Sequence, residues 1–307
     1  MRKAGLEMSF GWLFGIIVGA FILFLAIYAV TKIISTSQTE SDAKVGKNFG
    51  ILLNPLETGF ESGSSTKLTM PVETRVYNRC ENSGIFGRQI IEISQKNFNK
   101  WSDTNLEIGF ENKYIFSEAI PEGKGFYVFS KPFEFPFKVS DLIFLTSTKR
   151  KYCFVDAPDE IEQEINNTGQ ENFACQDCKY GCGENDVKVC FSTGNCDIKV
   201  DYQEGFVEKS GKRMYFEGKA LMYAAIFSEQ AVYECQLKRL MKRLSELAKI
   251  YSGKAIFISD KCNSDLNLVG LISSANNLQS SIDLRPMGLI VEDIKNKNDN
   301  NEICRLW

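Results

Sequence analysis

Between Phe10 and Val30 the chain runs for 21 residues without a charged side chain. As a helix rising 1.5 Å per residue, such a run spans the roughly 30 Å hydrocarbon core of a bilayer. Lys32 closes the run, and Ile33 and Ile34 extend its apolar character toward the headgroups. Trp12 and Tyr28 lie near its two ends, where amphipathic rings favour the interface. A cleaved signal peptide has an apolar region of about 7–15 residues followed by a small-residue cleavage site. Here the run is longer, and the STSQTES that follows offers no A-x-A site. The expectation is a retained anchor over residues 1–34, with the lipid bilayer as its first partner.

Orientation follows from cysteine rather than from charge. Arg2 and Lys3 precede the span while Lys32, Lys44 and Lys47 follow it, close to a tie on the positive-inside count. All ten cysteines lie after the anchor: Cys80, Cys153, Cys175, Cys178, Cys182, Cys190, Cys196, Cys235, Cys262 and Cys304. An even set confined to one side points to an oxidising compartment. The sequon Asn166-Asn167-Thr168 agrees with that side being outside. The expected arrangement is a single-pass cell-membrane protein, with a cytoplasmic N-terminus and an extracellular C-terminal domain.

Gly11, Gly15 and Gly19 recur every four residues and share one face of the anchor. Small residues at this spacing let a second helix approach closely, because lipid supplies no hydrophobic drive and packing must do so. The alternative is that glycine is simply common in membrane helices. The partner implied is another membrane protein or a second copy of the chain. Lys3-Ala4-Gly5-Leu6, followed closely by the long apolar run, resembles the N-terminus of archaeal type IV prepilins and archaellins. That resemblance covers about the first 30 residues. It implies cleavage just before the hydrophobic segment and packing of the exposed helix into a filament core.

Beyond the anchor, residues 35–66 are rich in Ser, Thr, Gly and Lys and read as a stalk, interrupted by Phe49-Gly50-Ile51-Leu52-Leu53. Residues 67–156 read as β-rich, with strands expected at KLTMPVETRVY, RQIIEIS, KGFYVFS, FEFPFKV, DLIFLTS and KYCFVD. Phe133, Phe135 and Phe137 alternate with Glu134 and Pro136, which predicts a buried β-face, and Pro132 and Pro136 mark it as an edge. Gly123-Lys124-Gly125 reads as a hairpin turn.

Residues 157–200 read as a cysteine-rich connecting loop, with Asp156, Asp159, Glu160, Glu162 and Glu164 on a solvated helix or loop. From 201 to 307 the pattern becomes helical. Leu237, Leu240, Met241, Leu244, Leu247, Ala248 and Tyr251 form one stripe of a helix from near Ser228 to Gly253. A strand is expected at KAIFIS (254–259), then a helix over 265–281 with Val269, Ile272 and Ala275 inward, and a strand at Leu289-Ile290-Val291. Lys238, Arg239, Lys242 and Arg243 read as a solvated basic face, with a docked anionic partner as the sharper alternative. The fold class expected is a transmembrane α-helix plus an α+β ectodomain, β-rich first and α/β toward the C-terminus, stapled by disulfides.

Five cysteines fall between 175 and 196 and five lie elsewhere, so complete pairing requires at least one bond between the groups. The preferred reading is a disulfide knot. One alternative is zinc held by Cys175, Cys178, Cys190 and Cys196, although a second CxxC knuckle is missing. Another is a dithiol redox pair at Cys175-Gln176-Asp177-Cys178.

Composition removes much of the remaining chemistry. Histidine is absent, which excludes Ser-His-Asp and Cys-His catalysis and every imidazole ligand. There is no P-loop, GxGxxG or GxSxG motif, and the net charge of −3 gives nucleic acid no general reason to bind. No cofactor and no catalytic residue is expected. The functional expectation is a membrane-anchored surface protein of adhesion, envelope or assembly type. A pilin-like filament subunit is the first alternative, and a surface enzyme or thiol-redox protein the second.

Overall fold

The computed structural model describes residues 10–52, 65–97, 99–102, 107–175, 178–192, 194–258, 266–301 and 304–307. Its first element is a 43-residue helix, α1 (Phe10–Leu52). The stretch Gly11–Ile33 is long and apolar enough to cross a membrane, and none of its side chains is buried in the protein. The helix does not stop there. Residues 35–52, expected as stalk, continue it without interruption, and its backbone comes alongside strand β2 (Arg88–Asn97).

The residues after α1 contain two sheets. The first is ordered β3-β2-β1-β6-β7-β5, with β4 also pairing β2. Its long members are β1 (Thr66–Glu81), β2, β6 (Glu122–Glu134) and β7 (Lys138–Ser147); the short ones are β3 (Lys100–Trp101), β4 (Ile108–Phe110) and β5 (Ile115–Phe116). The long strands pair antiparallel and β5 joins β7 in parallel. Alternation along β6 and β7 splits the apolar side chains between two faces. Phe129, Phe133, Leu142 and Phe144 enter the main core, whereas Phe126, Val128, Ile143 and Leu145 join a smaller core with Val76 and Ile91. This sheet is therefore buried on both sides.

The second sheet runs β13-β12-β11-β10-β8-β9. Its strands are β8 (Tyr152–Val155), β9 (Phe173–Cys175), β10 (Val187–Cys190), β11 (Ile198–Asp201), β12 (Phe206–Lys209) and β13 (Lys212–Tyr215). The four strands β9, β8, β10 and β11 are parallel, and β11 to β13 form an antiparallel meander. Helix α2 (Asp159–Asn167) links β8 to β9 as a βαβ unit, burying Ile161 and Ile165; Asp159 and Glu160 face outward, whereas the half-buried Glu164 pairs with Lys131 of β6 and accepts from Tyr223. Within 157–200, where an irregular loop is expected, the chain thus forms α2, β9, β10 and most of β11. The strands are too short, and too interrupted by Cys and Gly, to announce themselves by periodicity.

Between the sheets lie α3 (Gly218–Phe227) and α4 (Gln230–Ile258), followed by α5 (Val269–Asn277) and α6 (Leu284–Asp299). Helix α3 is apolar nearly all round, and Leu221 through Phe227 are all buried. Phe227 stacks on Phe173 and meets Tyr152 edge-on, which joins β8, β9 and α3 in one aromatic core. Of the expected stripe, Leu237, Leu240, Met241, Leu244 and Ala248 are fully buried along α4, and Leu247 and Tyr251 are partly buried against the same core.

Several local expectations are corrected. KAIFIS is not a strand through Ile258, because α4 carries through Gly253, which keeps helical backbone. Leu289-Ile290-Val291 lies in α6, where Leu284, Met287, Ile294 and Asn298 recur at helical spacing and overrule a three-residue apolar run. Val269 faces solvent, while Leu271 and Ala275 point inward. Gly123 and Gly125 sit inside β6, opposite an irregularity in β1, where a Cβ would collide with Ser147 and Thr148. FEFPFKV is the β6–β7 turn rather than one strand. Its phenylalanines are nonetheless buried, and Phe137 packs on Tyr251 and Trp307.

Candidate functional site

The N-terminal part of α1, from Trp12 and Phe14 to Ile33, is the longest continuous run of exposed large apolar side chains among the described residues. Gly11, Gly15 and Gly19 lie on it, and a Cβ added at any of them would meet nothing within 4 Å. None of the described residues after α1 fills the shallow track that these glycines leave.

The cysteines pair as Cys80–Cys235, Cys153–Cys182, Cys175–Cys178 and Cys190–Cys196. Cys304 is disulfide-bonded as well, and Cys262 lies outside the described residues. Cys153–Cys182 is the bond between the two groups that the odd count required. The four thiols of the zinc alternative are consumed in two separate disulfides, and zinc needs thiolates. Cys175–Cys178 does close, at the end of β9, but among the described residues no helix begins there to lower a thiol pKa as a dithiol redox centre requires.

The basic stretch of α4 is not a solvated face. Arg239 is fully buried, and its guanidinium donates to the carbonyls of Phe86 (3.1 Å), Phe110 (3.3 Å), Glu111 (2.9 Å) and Lys113 (2.8 Å) and to Gln236 Oε1 (2.6 Å). Burial pulls its pKa down to about 10, so it stays cationic at neutral pH. Lys242 donates to the carbonyls of Asn82 and Gly84, and Arg243 to that of Val139. Gln236 donates to Gln89, which binds Asn78, and Asn78 reaches Ser117 at 2.6 Å. These residues, with Cys80–Cys235, fasten α4 to the first sheet. Gly87, at φ +59°, is required beside them, since a Cβ would lie 3.0 Å from Arg239 Cγ and closer still to Glu81 O. Periodicity does not expose this role, because a guanidinium that reaches backbone carbonyls leaves no partner visible in sequence.

Two clefts flank the second sheet. The first, about 750 Å³, is lined by Glu118, Arg150, Lys209, Lys212, Glu229 and Glu234 among others. Its centre is Lys209, whose ammonium donates to the carbonyls of Ile226 and Ser228 at the C-terminus of α3. Burial, reinforced by Arg150, lowers the Lys209 pKa to about 7. Both hydrogen bonds go to helix-end carbonyls, and a cation there opposes the helix dipole favourably. Lys209 is a cap for α3, not a free nucleophile. The second cleft, about 740 Å³, opens where β8 and β10 end. No family model, no curated protein and no solved structure matches this chain.

Proposed function

We propose that this chain is a membrane-anchored cell-surface protein that works by assembly, with α1 serving as both anchor and lateral contact. The observation that carries the reading is the exposure of Gly11–Ile33, an apolar surface that water does not tolerate and that lipid or another helix must cover. The disulfides of the ectodomain support an oxidising exterior location. The open track at Gly11, Gly15 and Gly19 supports close approach of a second helix.

A second reading, a pilin-like filament subunit, is favoured by the length of α1. A tether needs about 20 residues, whereas α1 continues to Leu52 and reaches β2. A helix of 43 residues is a spar about 65 Å long on which an ectodomain is carried into an assembly. Gly15→Ile tests the lateral contact, since isoleucine preserves insertion while blocking close approach. Crosslinking in the native membrane should lose a specific species in Gly15→Ile at equal insertion. Unchanged crosslinking sinks the contact and leaves α1 as a tether. N-terminal mass then separates the two readings: an intact start or loss of Met1 alone rejects prepilin processing, and loss through Ala4 or Gly5 supports it.

A further inference from the structure

The second sheet has a topological switch point. From β8 the chain leaves toward β9 on one side, and from β10 it leaves toward β11 on the other. In open sheets with parallel strands, loops that part in this way leave a crevice beyond the carboxyl ends of the strands, where ligands bind. The 740 Å³ cleft lies at that place and falls within the roughly 300–1,000 Å³ typical of small-molecule sites.

The cleft is built rigidly. Asp156, the first residue after β8, is held at φ +51°, an uncommon conformation for a residue other than glycine. Its carboxylate accepts a hydrogen bond from Ser192 in the loop after β10, which ties the two sides of the crevice together. Cys190–Cys196 closes that loop, and Lys188 N donates to Asp197 at its far end. Three rings, Phe191, Tyr202 and Phe206, line the cavity without being buried, and Tyr202 is 38% exposed. Tyr202 donates its hydroxyl to Glu160 at 2.7 Å, and Glu160 is paired with Lys219 at 2.7 Å, which restrains the ring.

Charge selects among ligands. Lys199, Glu208 and Arg213 stand abreast across β11, β12 and β13, so the carboxylate faces both cations. Arg213 also lies over the Phe206 ring. With Asp156 and Asp201 the cleft wall carries three carboxylates against two cations, and Asp159 adds a further negative charge in the first turn of α2 beside it. An anion is disfavoured by these carboxylates. A ligand with an apolar face for the rings and hydroxyl or ammonium groups for the carboxylates fits. Sugars combine those features: axial C–H groups form an apolar face, and hydroxyls ring the edge.

We propose that the cleft at the carboxyl ends of β8 and β10 binds a short neutral or amino-sugar glycan, stacked on Tyr202 and hydrogen-bonded to Asp156 and Asp201. The proposal rests on the second sheet alone and holds whether α1 is a tether or a filament spar. The test is saturation-transfer NMR on the full chain in nanodiscs, with diacetylchitobiose, lactose, mannobiose and glucosamine as probes and gluconate as the anionic control. Probes at about 10 mM reveal a millimolar site. Transfer to the ring protons of at least one sugar is expected, weakened about tenfold in Tyr202→Ala and diminished in Asp156→Asn, which tolerates the same backbone conformation. Tyr202→Phe keeps the ring and drops the bond to Glu160; it guards against loss of fold and should bind within about fivefold of wild type. The proposal is overturned by no transfer to any of the four sugars, by transfer that survives both Tyr202→Ala and Asp156→Asn, or by preference for gluconate.

Discussion

The two sheets hold themselves together by different means. In the first, β1 runs 16 residues and β6 13, and long antiparallel ladders carry the structure. Its junction with α4 is polar: a buried arginine, two glutamines and an asparagine, with the Cys80–Cys235 bond beside them. In the second, no strand exceeds four residues, and three disulfides lie within or beside it. A four-residue parallel strand makes too few ladder bonds to set its own register. Cystines supply the closure that strand length does not. The pairing of short strands with disulfides is visible at the β10–β11 connection. Only seven residues return the chain to a parallel neighbour, and Cys190–Cys196 pinches them.

That contrast is sharpened by breaking each side in turn. Removing Cys80–Cys235 by paired serine substitutions releases a bridge with a sequence separation of 155. The loop-closure relation puts its contribution at about 5 kcal/mol, the largest effect anticipated. Chemical denaturation should show the loss, and a shift under 1 kcal/mol would show that the polar junction suffices. Next is Arg239→Met, which leaves four backbone carbonyls without their donor, that of Lys113 buried and those of Phe86, Phe110 and Glu111 partly buried. It should cost about 3–5 kcal/mol, read as a lower denaturation midpoint. A neutral result would mean that water reaches those carbonyls.

Opening Cys190–Cys196, which spans a separation of only six, should cost about 2 kcal/mol and loosen amide protection mainly in β10 and β11. Protection lost equally in the first sheet would show one cooperative unit rather than two. The smallest effect concerns Lys209. Its folded pKa, near 7, lies below the ordinary lysine value of 10.5, so above pH 7 the unfolded chain binds the extra proton. Stability must therefore rise with pH across this window, by about 1–2 kcal/mol between pH 7.5 and 9, below the range where tyrosines ionise. Lys209→Met should flatten that rise in pH-dependent melts. A slope unchanged in the variant would assign the titration to another group.

How much could be read in advance differs between the sheets for the same reason. In the first sheet, runs such as RQIIEIS and DLIFLTS are long enough for composition and turns to bracket them, and both are strands. In the second, VKVC and IKVD are four-residue pieces inside a cysteine-rich stretch, and such runs carry no period to detect. The α4 stripe was legible because its burial repeats with the helix. Arg239 was not, since it shares the basic face of Lys238 and Lys242 and differs only in what lies above it. Of the cleft at β8 and β10, neither Asp156 nor Tyr202 belongs to any local pattern that announces a site.

The amino-acid sequence by itself determined a membrane-length helix, a β-rich then helical region after it, and a cysteine count by which complete pairing needs at least one bond between the central cysteines and the rest. These are properties of length, period and parity, and each is local or arithmetical. Only the tertiary structure decided which cysteines meet, that the stalk is helix as far as Leu52, and that a basic face is interior. It also decided that two short loops part around a cleft. The physical reason is range. A carbonyl 126 residues away satisfies Arg239 as well as a neighbour does, and a hydrogen bond leaves no mark on the sequence that separates its partners.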